Sequence, residues 1–144
     1  MYSSILVPLD GSRRAQRILP HVEELAKRCD SSIVFLRVVG SEAGHGQTVD
    51  FYIDALERAL DEAKLYLSGL QGEFSKKGFQ VRSVVERGPV VNTIISVADR
   101  EKVDLIAMAS HGRTGLPRAF YGSVAAGVLN KVVRPILLIR ADED

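Results

Sequence analysis

Five short apolar runs, separated by stretches of helical period, constrain the fold of this chain more than any other feature. They are Ser4–Pro8 (SILVP), Ser31–Val39 (SSIVFLRVV), Phe79–Arg87 (FQVRSVVER), Leu105–Met108 (LIAM) and Pro135–Arg140 (PILLIR). Four are apolar at nearly every position, the pattern of strands buried on both faces. Phe79–Arg87 alternates only in part, which places it nearer a sheet edge. Between the first two runs, Ser12 is a good N-cap for a helix carrying Ala15, Ile18, Leu19, Val22, Leu25, Ala26 and Cys29 on one face. Pro20 sits inside that pattern and predicts a kink or a loosened turn. From Val49 to about Lys77, Ile53, Leu56, Leu60, Ala63, Leu67, Leu70 and Phe74 form a heptad-like stripe, with Gly78 as a plausible stop. A third helix follows Gly88 and Pro89, with Val90, Ile94, Val97 and Ala98 on one side, and a fourth opens at Gly122 and Ser123. Five strands alternating with four helices imply a parallel sheet covered on both faces. In such sheets ligands bind beyond the C-terminal strand ends, where the strand order reverses.

Two of those strand ends carry the best chemistry. Asp10, Gly11 and Ser12 follow the first strand directly. After the fourth, Asp104–Ser123 (DLIAMASHGRTGLPRAFYGS) reads as strand, glycine-bearing loop and helix start. The first turn of a helix has unpaired N–H donors and a positive dipole end, so this order is how an α/β protein offers its backbone to an anion. Gly112 and Gly122 let the backbone approach a phosphate with no Cβ in the way. The Ser123 hydroxyl can cap the helix or bind a ligand oxygen. Arg113 either offsets phosphate charge or faces solvent. Loops of this kind also carry two glycines and a serine for turn geometry alone, so spacing by itself leaves both readings open.

Other chemistry finds less support. His111 has no carboxylate partner at motif spacing, His21 has no partner group, and His45, in the polar loop Gly40–Thr48, lacks a second metal ligand. There is no Walker A lysine and no Ser, His and Asp set at recognisable spacing, so any ATP hydrolysis is expected to fall far below the ~10 s⁻¹ of dedicated enzymes. A net charge of +1 supplies no global field for nucleic acid or an anionic membrane. No apolar run approaches the ~20 residues that span a bilayer, and the start MYSSILVPLDGS lacks a signal-peptide pattern. One cysteine, Cys29, forbids an internal disulfide and fits a cytoplasmic setting. The 144 residues are expected to form a single domain.

ILVPLDGS at the start, RGP at Arg87–Pro89, DLIAMASHGRTGL and GSV at Gly122–Val124 together resemble the universal stress protein A family, over nearly the whole chain from Ile5 to Ile139. In the family's nucleotide-binding members the pattern is glycine, two residues, glycine, nine residues, then glycine and serine or threonine. Gly112, nine residues, Gly122 and Ser123 match it, whereas Ala109 stands at the first glycine. The resemblance implies a five-stranded parallel sheet of order 3-2-1-4-5, adenine-nucleotide alpha-hydrolase-like, and commonly a homodimer. It implies ATP as the ligand, with Mg or Mn on the phosphates. The ligand-binding positions are then Pro8, Asp10, Val38, Ala109, Gly112, Arg113, Gly122, Ser123 and Val124, with Asp10 and the Val38 backbone at the adenosine and Gly112, Gly122 and Ser123 at the phosphates. In that strand order Ile136–Ile139 is an apolar edge that invites pairing with a second copy. The function expected is an ATP-binding module in stress response or signalling, and the alternative is a dimeric scaffold of the same family that binds no nucleotide.

Overall fold

The apolar runs become the strands of one parallel sheet in the computed structural model, which describes residues 1–40, 48–111 and 122–141. In chain order the elements are β1 (Ser4–Pro8), α1 (Arg13–Gln16), α2 (Leu19–Cys29), β2 (Ser32–Val39), α3 (Val49–Lys76), β3 (Val81–Arg87), α4 (Val90–Arg100), β4 (Leu105–His111), α5 (Ser123–Lys131) and β5 (Ile136–Ala141). The sheet order is β3-β2-β1-β4-β5, with every pairing parallel, as expected. The chain builds outward from β1 through β2 to β3, then crosses to β1's other side for β4 and β5. The reversal therefore lies between β1 and β4.

Strand side chains alternate between the two faces. Ile5, Val7, Ile33, Phe35, Leu105 and Ala107 pack with Ile18, Val22 and Ala26 near α2 and with Leu67, Leu70 and Phe74 of α3. Leu6, Val34, Leu36, Val38, Ile106 and Met108 pack on the opposite face with Ile94, Val97 and Ala98 of α4 and Ala125 and Val128 of α5. Phe35 meets Phe74 edge-on, ring centroids 5.2 Å apart, which ties the 28-residue α3 to the sheet. Gly127 of α5 lies against α4: a Cβ there would stand 2.7 Å from a Val91 methyl, so the two helices reach this spacing only around a glycine. The carboxylate of Asp104, just ahead of β4, accepts the N–H groups of Ser3 and Ser4 at 2.8 and 3.0 Å and pins the start of β1.

Several boundaries differ from the sequence reading. The single first helix is two, because the chain turns at Arg17 and Ile18 and Pro20 falls in the first turn of α2, where its missing N–H is tolerated. β4 runs to His111 rather than Met108, since the small residues Ala109 and Ser110 continue the ladder opposite Ile139 and Arg140. β5 runs one residue beyond the apolar run, to Ala141. Ile53, read on the apolar stripe of α3, is exposed, while Leu56, Ala63, Leu67, Leu70 and Phe74 are buried. Gly78 does follow the end of α3. Among the described residues no helix is long and apolar enough to cross a membrane.

Candidate functional site

At the C-terminal end of the sheet, over the β1/β4 reversal, one crevice collects residues from the ends of β1, β2 and β4 and the starts of α1, α4 and α5. Its lining includes Pro8, Asp10, Val38, Ala109, Gly122, Ser123 and Val124, every expected site residue that lies within the described chain. Gly112 and Arg113 lie outside the described residues, as does His45.

The α5 end of the crevice is a helix N-terminus. Its first intrahelical bond runs from the Ala126 N–H to the Gly122 carbonyl, 3.0 Å, so the N–H groups of Ser123, Val124 and Ala125 precede the ladder. The N-cap is Gly122, and among the described residues no side chain caps the turn. Ser123 is therefore the first helical residue, and its exposed side chain is not used as a cap. Gly122 has φ 84° and ψ 155°, a backbone region populated essentially by glycine alone. Ala109 lies in β4 and is not among the residues with positive φ, so alanine meets no backbone strain at the position where the family pattern has glycine.

Across the crevice, Asp10 begins a tight local structure. Its Oδ1 accepts the Ser12 N–H at 2.9 Å, and Ser12 Oγ accepts the Ala15 N–H at 3.1 Å, so Ser12 caps α1 as expected. Arg14, one turn on, lies 3.5 Å from Asp10 Oδ2. Burial raises the Asp10 pKa, but hydrogen bonds from Ser12 and the charges of Arg14 and Arg37 outweigh it and hold the carboxyl below its ordinary value of 3.8.

The middle of the crevice is backbone. The last rung between β1 and β2 is the Leu9 N–H on the Leu36 carbonyl, 2.8 Å. Backbone groups two residues apart on a strand point the same way, so the N–H and C=O of Val38 come next on that side, where β1 has ended. The Val38 carbonyl accepts Arg37 Nη1 at 2.7 Å. Sequence reasoning missed Arg14 and Arg37. Both left a signal: Arg14 follows Asp10 by four residues, one helical turn, and Arg37 is the lone charge in an otherwise apolar strand.

A parallel sheet of order 3-2-1-4-5 with helices on both faces and a crevice at the reversal defines a Rossmann-like α/β protein. The chain belongs to the universal stress protein family, whose model matches residues 1–140. It is 29% identical to the universal stress protein MJ0577 of Methanocaldococcus jannaschii over 97% of this chain and 96% of that one. The solved structure of MJ0577 superposes with a TM-score of 0.85 at 28% identity, covering 100% of this chain and 98% of its own. The universal stress protein Sll1654 of Synechocystis is 32% identical over 96% of this chain and 86% of that protein. A universal stress protein from Archaeoglobus fulgidus, solved in complex with dAMP, shares the fold at a TM-score of 0.61 and 21% identity, over 96% of this chain and 98% of its own.

Proposed function

We propose that this chain is an ATP-binding universal stress protein acting in stress response or signalling. The observation that carries the reading is the N-terminus of α5, uncapped by any described side chain, entered through a glycine-only conformation at Gly122 and opening on the same crevice as Asp10 and Val38. The phosphates would meet the N–H groups of Ser123 and Val124 and the Ser123 hydroxyl, together with Gly112 and Arg113 of the preceding segment. Val38 would meet the base, Pro8 and Ala109 would flank the ligand, and Asp10 would accept the ribose hydroxyls. A Mg or Mn ion would be held chiefly by the phosphates, which suits an ion that keeps its waters and binds through phosphate oxygens. The relative solved with dAMP is a member of the same fold carrying an adenine nucleotide.

Calorimetric titration with ATP tests this, with Asp10→Asn as the informative variant. Asparagine retains an oxygen for the Ser12 N–H and so preserves the turn, while the charge-assisted bond to ribose is lost. Affinity should fall roughly tenfold, at the lower end for a hydrogen bond to a charged group. Because the Asp10 pKa is depressed, the carboxylate is ionised throughout the neutral and mildly acidic range, and half-protonation is reached only below the ordinary 3.8. The ratio between the two proteins should therefore be the same at about pH 5 and about pH 8. No ATP binding by the unaltered protein would leave the scaffold reading in its place.

We further propose a homodimer through Ile136–Ile139. β5 is an edge strand, and its four apolar residues are only half-buried. The Ile106 N–H bonds the Pro135 carbonyl, so by alternation the N–H groups of Ile136, Leu138 and Arg140 point away from β4. Hydrogen exchange at micromolar concentration should find these outward amides protected, and dilution should release them while the inward Leu137 and Ile139 stay protected. Fast exchange at Leu138 at every concentration would rule out pairing through this edge.

A further inference from the structure

Arg37 stands between the two groups of the crevice that a nucleoside would use. It leaves β2 on the face of α3, away from Leu36 and Val38, whose side chains pack toward α4 and α5. Its guanidinium nevertheless reaches the Val38 carbonyl, 2.7 Å from Nη1, and the residue lines the crevice beside Asp10. Alone, Val38 would present one donor and one acceptor on the same side, and its acceptor would suit the 6-amino group of adenine. With Arg37 in place that acceptor already holds a cationic donor. An incoming amino group must share the carbonyl with it and turn its own positive hydrogens toward a guanidinium. An oxygen at the same position meets donors instead: the free N–H groups of Arg37 and the Val38 N–H. Arginine pairs with the 6-oxo edge of a purine for this reason, each good pair giving ~1–3 kcal/mol of discrimination against the wrong base.

We propose that Arg37 sets the base preference of this crevice, converting its base-reading end from acceptor to donor so that 6-oxo purine nucleotides bind at least as tightly as ATP. The inference rests on the nucleotide reading above and adds to it which purine the site takes. Asp10 and Tyr66 both feel the charge of Arg37. The Tyr66 hydroxyl is itself fixed by the side-chain N–H of Gln16 at 2.8 Å, a bond that joins α1 to α3.

The test is a pair of calorimetric titrations, ATP against ITP, which differ at the purine 6-position and in the protonation of N1 and share ribose and triphosphate. The unaltered protein should bind ITP as tightly as ATP or more tightly, a comparison that needs no variant. Arg37→Met keeps the apolar stem, frees the Val38 carbonyl and should move the ratio roughly tenfold toward ATP. Arg37→Lys, with no planar fork, should move it the same way by less. A purely structural arginine would weaken both nucleotides equally and leave the ratio alone. An unaltered protein that prefers ATP, with a ratio that Arg37→Met does not move, overturns the inference and leaves nucleotide binding standing. If neither nucleotide binds, the nucleotide reading itself falls and this inference falls with it.

Discussion

Gly122→Val is expected to abolish ATP binding while the sheet remains folded. The glycine sits at φ 84° and ψ 155°, where a side chain costs of order 1–3 kcal/mol, and a branched Cβ adds crowding at the entrance to α5. The chain relieves that strain most readily by rotating the N-cap, which turns the N–H groups of Ser123 and Val124 away from the crevice. Those donors are what the site offers a phosphate, so even a small rotation should remove most of the affinity. The core contacts of α5 come from Ala125 and Val128, further along the helix, so circular dichroism should report a native fold. Gly122→Ala should fall between the two. Titration of the folded valine variant with ATP decides the matter, and affinity equal to the unaltered protein would mean that phosphate does not bind at this helix.

The largest effect on stability is expected at Phe35, on the other face of the sheet. Its side chain is fully buried and meets Phe74 edge-on. Phe35→Ala removes a ring from the layer joining β2 to α3, a change that costs about 3–5 kcal/mol in well-packed cores. For a domain of this size that lowers the melting temperature by roughly 10–16 °C. Urea unfolding should show an earlier midpoint with an unchanged slope. Phe35 faces away from the crevice, so the folded fraction should still bind nucleotide. A loss below ~1 kcal/mol would mean that α3 is loosely held and that its ring contact contributes little.

The sheet was legible because buried parallel strands leave continuous apolar runs. Ser4–Pro8 was placed to the residue, and Val49 at the head of α3 likewise. Legibility failed where the apolar signal stopped before the hydrogen bonding did. Ala109 and Ser110 are too small to mark a strand, yet their backbones continue the ladder with β5. The helix split at Ile18 was half visible: Pro20 announced a disturbance, and the turn falls just ahead of it. The crevice was legible through Asp10 and the glycine and serine at the start of α5, and its strand order came from the family resemblance. Arg37 escaped because its effect lies in a side-chain bond to a neighbouring carbonyl, which strand periodicity does not encode. Ser123 was a candidate cap by residue type, but Gly122 takes that place because the bend needs a backbone that serine does not readily adopt.

The two margins of the sheet are chemically unequal. β3 carries Arg82, Glu86 and Arg87 along its length, with Arg82 paired to Glu101 and Glu86 to Arg100 at 2.7 Å. β5 carries Ile136, Leu137, Leu138 and Ile139. Charge along an edge strand opposes the addition of another strand, and an apolar run favours it. In the dimer proposed above, a second copy would therefore have one margin to join, and joining it by a two-fold axis would consume that margin on both molecules. What would remain outward in the proposed dimer is a charged border at each end of a ten-stranded sheet. In the proposed dimer growth would halt at two copies, and the adhesive strand would be used up without building a filament.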